Sequence, residues 1–342
     1  MEMNMGDVLK RDNEYVYGHL QDCVENLKGT RILVTGAAGF LGQTIVGFLN
    51  FLNSSVFDAK DVIEVITVDY EDFDICRPLN DRITEGVVHY VINCAGVASP
   101  KKYLKTPLQT LDVSYIGTKN VLEFAKLRSS RSVLMFSSSE VYGTADEIPT
   151  REEYVGAVTT FGNRSCYDIG KNVLESLSYV YYHEYQIPLN VLRPFNIYGP
   201  LMDFNDGRMV PNLCKSMIRG TDFSIYGNGK QTRTYCYVAD AMVYMFGILL
   251  SGKYGEIYNI GSDDEEMSAE EVAKKAYELI DPPSSKPVLQ PYPSEYPDQE
   301  PRRRCPSLDK VRNLTSYSSS YSFKEGFQSC YEFYKKKETE DV

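Results

Sequence analysis

The chain has 342 residues, 43% of them hydrophobic and 24% charged, with a formal net charge of −11. Such a length holds one large or two modest domains with a well-buried core. The acid excess leaves no basic footprint for nucleic acid or an anionic membrane, and no apolar run approaches the roughly 18 residues of a membrane span.

Residues 1–28 mix acids, amides and tyrosines and lack an apolar h-region, so they read as a helical extension rather than a signal peptide. A first strand is predicted over 31–35. It runs into Val34-Thr35-Gly36-Ala37-Ala38-Gly39-Phe40-Leu41-Gly42, after which 41–53 reads as helix. Glycines at this spacing let a strand turn sharply into a helix and let backbone N–H groups approach a pyrophosphate. Gly36, Gly39, Phe40, Leu41 and Gly42 are therefore candidate dinucleotide contacts. The second strand, 62–69, ends at Asp69, where a carboxylate accepts both ribose hydroxyls of an adenosine and repels a 2′-phosphate. That favours NAD over NADP. Asp74 and Ile75 follow and are placed at the adenine edge. The third strand, 88–94, closes with Asn93-Cys94-Ala95-Gly96, small residues suited to a nearby cofactor, with Ala95 against it. Cys94 is expected to be a small buried hydrophobe.

A helix over 109–128, a strand over 132–137, a helix over 167–185 and a strand over 189–193 complete the alternation. Strands alternating with helices predict an α/β fold, a doubly wound parallel Rossmann sheet. From Asn196 the rhythm degrades, with strand pieces at 223–226, 234–238 and 257–260 and a final helix at 268–280. A proline-rich segment, 281–301, follows, in which Tyr292 and Tyr296 are expected to pack. This predicts a smaller mixed α/β C-terminal substrate-binding lobe. The expected division is 1–28 as extension, 29–195 as NAD-binding domain with some later segments returning to it, and 196–342 mainly as the substrate lobe.

Eight cysteines are scattered without a CxxC pair, and there are three histidines, so no metal site is expected and a reducing, cytoplasmic compartment fits. Tyr167 and Lys171 stand four apart on a predicted helix, hence on one face. An ammonium and a positive nicotinamide ring would lower the phenol's pKa, letting Tyr167 take the proton of a sugar hydroxyl while hydride leaves for NAD. Ser137-Ser138-Ser139-Glu140 follows the fourth strand, where open α/β sheets bind ligands. Ser138 would bond the same hydroxyl, and Glu140 would serve a carbon next to the one oxidised.

Together these elements resemble the extended short-chain dehydrogenase/reductase (NAD-dependent epimerase/dehydratase) family, which acts on nucleotide sugars, over roughly residues 30–312. The nearest group is the UDP-glucuronate decarboxylases (UDP-xylose synthases). The likeness rests on Ala98-Ser99-Pro100 with Tyr103 and Pro107, Thr110-Leu111, Ile116-Gly117-Thr118, Ser139-Glu140-Val141-Tyr142-Gly143 and Cys166-Tyr167-Asp168 with Gly170-Lys171. It continues through Asn205-Asp206-Gly207-Arg208, Tyr226-Gly227, Gln231-Thr232-Arg233, and Arg304 with Pro306. The resemblance implies catalytic Ser138, Tyr167 and Lys171 with Glu140 beside them. It implies substrate contacts from Ser99, Asn196, Arg208, Arg233 and Arg304, with Tyr226 near the base. It also implies a homodimer built on helices 109–128 and 167–185, through Val113, Ile116, Val121, Leu174, Leu177 and Val180. Arg233 and Arg304 are forks suited to a diphosphate.

The resemblance further implies oxidation at C4 to a 4-keto sugar, loss of CO2 from a glucuronate, and return of the hydride. The decarboxylases carry Thr at Ser138, Glu at Ile169, Arg at Asn172 and a helix Asn at Ser114. A 4-epimerase needs only Ser138, Tyr167, Lys171 and room for the ketosugar to turn, and stays open. A 4,6-dehydratase ranks lower, since Ser139 stands where an Asp would protonate the leaving hydroxyl. A non-catalytic NAD-binding scaffold is the distant alternative, and the intact Tyr167/Lys171 pair argues against it.

Overall fold

Ile32 and Val34 pack into one apolar layer and Leu33 into another, on opposite faces of the strand they share. That period of two organises the molecule, whose computed structural model describes residues 5–280, 285–292 and 302–340. The strands are β1 (Arg31–Thr35), β2 (Glu64–Val68), β3 (Tyr90–Asn93), β4 (Ser132–Phe136), β5 (Leu189–Pro194) and the strand Ile257–Ile260. They form one parallel sheet in the order Ile257–Ile260, β5, β4, β3, β1, β2. The order reverses between β1 and β3, and the crevice at the strands' carboxyl ends there is where such sheets bind ligands.

The strand Ile257–Ile260 pairs with β5, so it belongs to the main sheet although it lies late in the chain. The smaller lobe is made of short pieces: Phe223–Tyr226 with Pro287–Gln290, and Thr232–Arg233 between Met267–Ser268 and Arg303–Arg304. Tyr292 packs against Tyr226, ring centroids 6.2 Å apart; Tyr296 and the rest of the stretch 293–301 lie outside the described residues, as do 281–284.

Several expectations are corrected. The N-terminal segment is helix α1 (Met5–Val24), but it is a core element, with Val8, Asp12, Val16, Leu20 and Val24 forming a buried stripe at every fourth residue. It packs against the helix Val238–Leu250, for which the sequence predicts nothing beyond a strand ending at Val238. That helix is buried on nearly every face and so shows no amphipathic period. The predicted helix 109–128 is interrupted: Pro107–Asp112 and Thr118–Leu127 flank a wider π-turn at Val113–Gly117. The helix Ala269–Leu279 is not final, since Asp309–Thr315 and Phe323–Glu340 follow it. Val121 and Leu174 are buried in the core and Val113 and Leu177 pack against it, so of the six expected interface residues only Ile116 and Val180 are exposed. Among the described residues no helix is long and apolar enough to cross a membrane.

Candidate active site

The carboxyl ends of β1 to β5 open into one cleft of about 2140 Å³. Ligand pockets usually measure about 300–1,000 Å³, so the space exceeds what one such ligand fills.

At the β1 end, Gly36 has φ +68°, and a Cβ there would lie 2.7 Å from the Ala95 nitrogen. A Cβ on Gly42 would lie 2.1 Å from the Gly36 carbonyl oxygen. Both positions exclude any side chain, and the turn delivers the chain into helix α2 (Phe40–Ser55), whose N-cap Gly39 makes no side-chain cap bond. First-turn N–H groups are thus left for an anion. Asp69 follows β2, and its carboxylate accepts the Ala38 and Tyr70 N–H groups at 2.7 Å each. A carboxylate has about four acceptor sites, so it retains capacity for a ribose. Gly39, Phe40, Leu41, Ile75 and Ala95 also line the cleft, and this set fits NAD. Asp74 does not line it; its carboxylate accepts the Cys76 N–H at 2.9 Å. Cys94 is only partly buried and lines the cleft; burial pushes its thiol up.

Ser138, Glu140, Tyr167 and Lys171 converge. Tyr167 and Lys171 are 7% and 6% exposed on the helix Ser165–Tyr185, and Lys171 Nζ lies 5.8 Å from the centre of the Tyr167 ring. Lys171 Nζ donates to the Phe136 carbonyl at 2.6 Å. Burial pushes Tyr167 up to about 12, against the lowering effect of its hydrogen bond with Ser138. Burial likewise pushes Lys171 down to about 8. These shifts hold for the protein without a cofactor's cation, the second of the two charges expected to lower the phenol's pKa.

Glu140 has partners that the sequence does not show. It pairs with both Arg304 and Arg164. Burial opposes its ionisation, but Arg304 and then Arg164 outweigh that and hold the carboxyl at about 2. It is a fixed anion, not a proton donor near neutrality.

Ser99, Asn196, Arg208, Tyr226, Arg233 and Arg304 all line the same cleft. Ser99 Oγ donates to the Asp206 carbonyl at 3.4 Å, Asn196 Nδ2 to the Thr234 carbonyl at 3.0 Å, and Arg233 to the Thr232 carbonyl at 2.8 Å. Arg208 pairs with Asp206. Arg304 is 7% exposed, and its Nε is buried with no hydrogen-bond partner among the described residues.

Two cleft residues escaped the sequence reading of the chemistry. Tyr103 stacks on Tyr167, and Arg164 bonds Asp168 at 3.3 Å besides Glu140. Tyr103 belonged to a matching motif, which was its only signal. Arg164 stands in an irregular loop that carries none. Among the described residues no cluster of three or more His, Cys, Asp or Glu could hold a metal ion.

A glycine cradle, a strand-end acid and a Ser–Tyr–Lys cluster in one cleft define a dinucleotide-dependent enzyme of the Rossmann class. The chain belongs to the NAD dependent epimerase/dehydratase family, whose pattern matches residues 32–261. It is 33% identical over 308 residues to UDP-glucuronic acid decarboxylase 6 of Arabidopsis thaliana, covering 86% of each chain. In fold it is similar to an epimerase from Methanothermobacter thermautotrophicus, with a TM-score of 0.81, 23% identity and coverage of 94% of this chain and 97% of that one. It is similar also to UDP-glucose 4-epimerase from Thermotoga maritima, with a TM-score of 0.77, 23% identity and coverage of 90% and 99%.

Proposed function

We propose that the chain oxidises C4 of a nucleotide sugar and that its reaction is decarboxylation of UDP-glucuronate to UDP-xylose. The observation that carries this reading is the buried Nε of Arg304, without a hydrogen-bond partner among the described residues, on a side chain lining the cleft that also holds Tyr167. A buried donor without an acceptor costs about 1–3 kcal/mol, and an anionic substrate group supplies the acceptor. The similarity to a UDP-glucuronic acid decarboxylase over most of both chains supports the choice of sugar.

Gly36, Gly39, Phe40, Leu41, Gly42, Asp69, Ile75 and Ala95 hold NAD, with Tyr167 and Lys171 at its reactive end. NAD, when bound, supplies a hydride acceptor for C4 and gives the hydride back after CO2 has left. Ser138 holds the C4 hydroxyl and Tyr167 takes its proton, while Lys171 stabilises the phenolate. The C4 ketone turns the C6 carboxylate into a β-keto acid. The C5–C6 bond breaks, CO2 leaves, and the electron pair enters the C4–C5 enolate. A water ordered by Glu140 protonates C5 and takes a proton back from solvent, the one proton consumed overall, and Tyr167 returns its proton to the C4 oxygen. Ser99, Asn196, Arg208 and Arg233 hold the nucleotide sugar, with Tyr226 near the base. Residues 29–195 then serve mainly the cofactor and 196–342 mainly the sugar nucleotide.

Two copies pair through the exposed apolar residues Leu108, Leu111, Tyr115 and Ile116 with Tyr179 and Val180 of the helix Ser165–Tyr185. The eight cysteines are all free, which fits the cytoplasm.

A 4-epimerase is the second reading. Asn172 Nδ2 donates to the Asp168 carbonyl at 2.9 Å, its own helix, and Ile169 is apolar, so neither supplies the charge that the decarboxylases carry there. Incubation of purified protein with UDP-glucuronate and NAD separates the two. CO2 and a UDP-pentose are expected; a UDP-hexuronate epimer without CO2 overturns decarboxylation. Tyr167→Phe is expected to lower turnover at least 100-fold and to leave NAD affinity within threefold.

A further inference from the structure

Glu175 lies one helical turn beyond Lys171 and accepts from two neighbours at once. Ser137 Oγ donates to its Oε1 at 2.5 Å. Arg193 Nε donates to the same oxygen at 2.8 Å, and Arg193 Nη2 to Oε2 at 2.7 Å. One turn earlier, Lys171 Nζ holds the Phe136 carbonyl at 2.6 Å. Phe136 and Ser137 are consecutive at the end of β4, while Lys171 and Glu175 share one face of the catalytic helix. Two adjacent residues are thus gripped by two side chains a turn apart. On one side of this double grip follow Ser138, Ser139 and Glu140; on the other stands Tyr167.

Arg193 is itself fixed. Its Nη1 donates to Tyr142 Oη at 2.8 Å and to the Glu152 carbonyl at 2.9 Å, and Tyr142 Oη donates to Asn259 Oδ1 at 2.7 Å. Asn259 belongs to the sheet strand next to β5 and is fully buried. The Glu175 carboxylate therefore ties the ends of β4 and β5, and through Tyr142 the strand Ile257–Ile260, to the helix that carries the reactive phenol.

We propose that Glu175 is the positioning residue of this active site, setting the register of Ser138 against Tyr167 through Ser137 and Arg193. It touches neither substrate nor cofactor. The titratable groups that face Lys171 are the Cys94 thiol from the end of β3 and, on its own helix, Glu175 and the Tyr167 phenol; burial pushes the thiol up and keeps it neutral, so Glu175 is the anion that favours the ammonium against burial. An anion one turn away thus also helps keep Lys171 charged.

The inference rests on the proposed reaction only for its choice of substrate. Ser137→Ala removes the tether and leaves the Glu175–Arg193 pair whole. It is expected to lower kcat about tenfold, as small misplacements do, with KM and NAD affinity within twofold of wild type, and Ser137→Thr is expected to restore kcat. Glu175→Gln is expected to move the alkaline limb of kcat/KM to lower pH, because Lys171 loses its anion while Arg193 stays. Amide hydrogen exchange, read with NAD alone, is expected to rise over residues 136–143 in Ser137→Ala and not over 165–185. Wild-type kcat together with wild-type exchange in Ser137→Ala overturns the proposal. If wild type converts UDP-glucose and not UDP-glucuronate, the substrate reading falls, and the same variants are compared on UDP-glucose. Should Glu175→Gln fail to fold, Ser137→Ala and the exchange experiment still decide.

Discussion

Tyr103 stacks on Tyr167 with ring centroids 5.1 Å apart and planes 12° from parallel. The stack walls the reactive phenol from water, and Tyr103 is itself 1% exposed. Its hydroxyl has no hydrogen-bond partner among the described residues although it is buried, and burial pushes it well above the ordinary phenol range. Tyr103→Phe keeps the ring and removes the unsatisfied group, whose burial costs about 1–3 kcal/mol. Free protein carrying this change is expected to be about 1 kcal/mol more stable by urea unfolding. Its KM for the sugar nucleotide is expected to rise about tenfold with kcat within threefold, the pattern of lost uniform binding. A less stable variant with an unchanged KM would show that the hydroxyl serves the fold.

Glu140 sits at about 2 against a usual 4.5, with Arg304 and Arg164 overcoming its burial. A carboxyl depressed in the folded state adds stability that is complete above its unfolded value and is lost as pH falls through the folded one. At 1.36 kcal/mol per unit this is about 3 kcal/mol. Glu140→Gln, which leaves two buried guanidiniums facing each other, is expected to cost that amount at pH 7. The deficit should shrink towards zero as pH falls from 4.5 to 2. Unfolding curves across this range check it, and a deficit independent of pH would assign the loss to packing.

On the proposed reading Asp69 governs the choice of dinucleotide. One of its oxygens fastens the glycine turn by accepting the Ala38 N–H, and the other accepts the N–H of Tyr70, the next residue in the chain. Asp69→Ser removes the ribose acceptor and the charge that repels a 2′-phosphate. Hydrogen bonds to a charged group contribute about 1.5–3 kcal/mol, so NAD affinity is expected to fall at least tenfold while the NADP to NAD ratio moves towards NADP. Calorimetric titration with both dinucleotides tests this; an unchanged ratio would place the ribose elsewhere.

The glycine turn, Asp69 and the Tyr167/Lys171 pair were legible because each depends on local chemistry. Gly36 and Gly42 admit no side chain, and residues four apart on a helix must share a face. What escaped depends on contacts between distant parts of the chain. Arg164 meets Glu140 across 24 residues, and Arg304 meets it across 164. The sequence places Glu140 beside the chemistry but shows neither of the guanidinium partners that hold it as an anion. The helix Val238–Leu250 was missed for the opposite reason, since burial all round erases the amphipathic period by which helices are recognised. The role of α1 was underestimated because Asp12 interrupts an otherwise apolar stripe with a charge.

That interruption has its own expected consequence. Asp12 is 7% exposed; it accepts the Tyr237 hydroxyl at 2.5 Å and an Arg11 N–H at 3.1 Å. Burial pushes its carboxyl up from 3.8 to about 6, against the lowering effects of Tyr237 and Arg11. A carboxyl raised in the folded state favours folding while protonated, and that advantage disappears as pH rises through the folded value. Above about pH 6 the protein therefore carries a buried charge that opposes folding, whereas below 3.8 it carries none. Asp12→Asn keeps an oxygen for Tyr237 and removes the charge. It is expected to stabilise the protein by about 1–3 kcal/mol at pH 7.5, from the 1.36 kcal/mol per pKa unit less the lost Arg11 contact. The gain should vanish by pH 4. Urea unfolding of both proteins at the two pH values decides: a variant less stable at pH 7.5 would mean that the Arg11–Asp12 pair outweighs the cost of burying Asp12, and that the charge on α1 holds it in place.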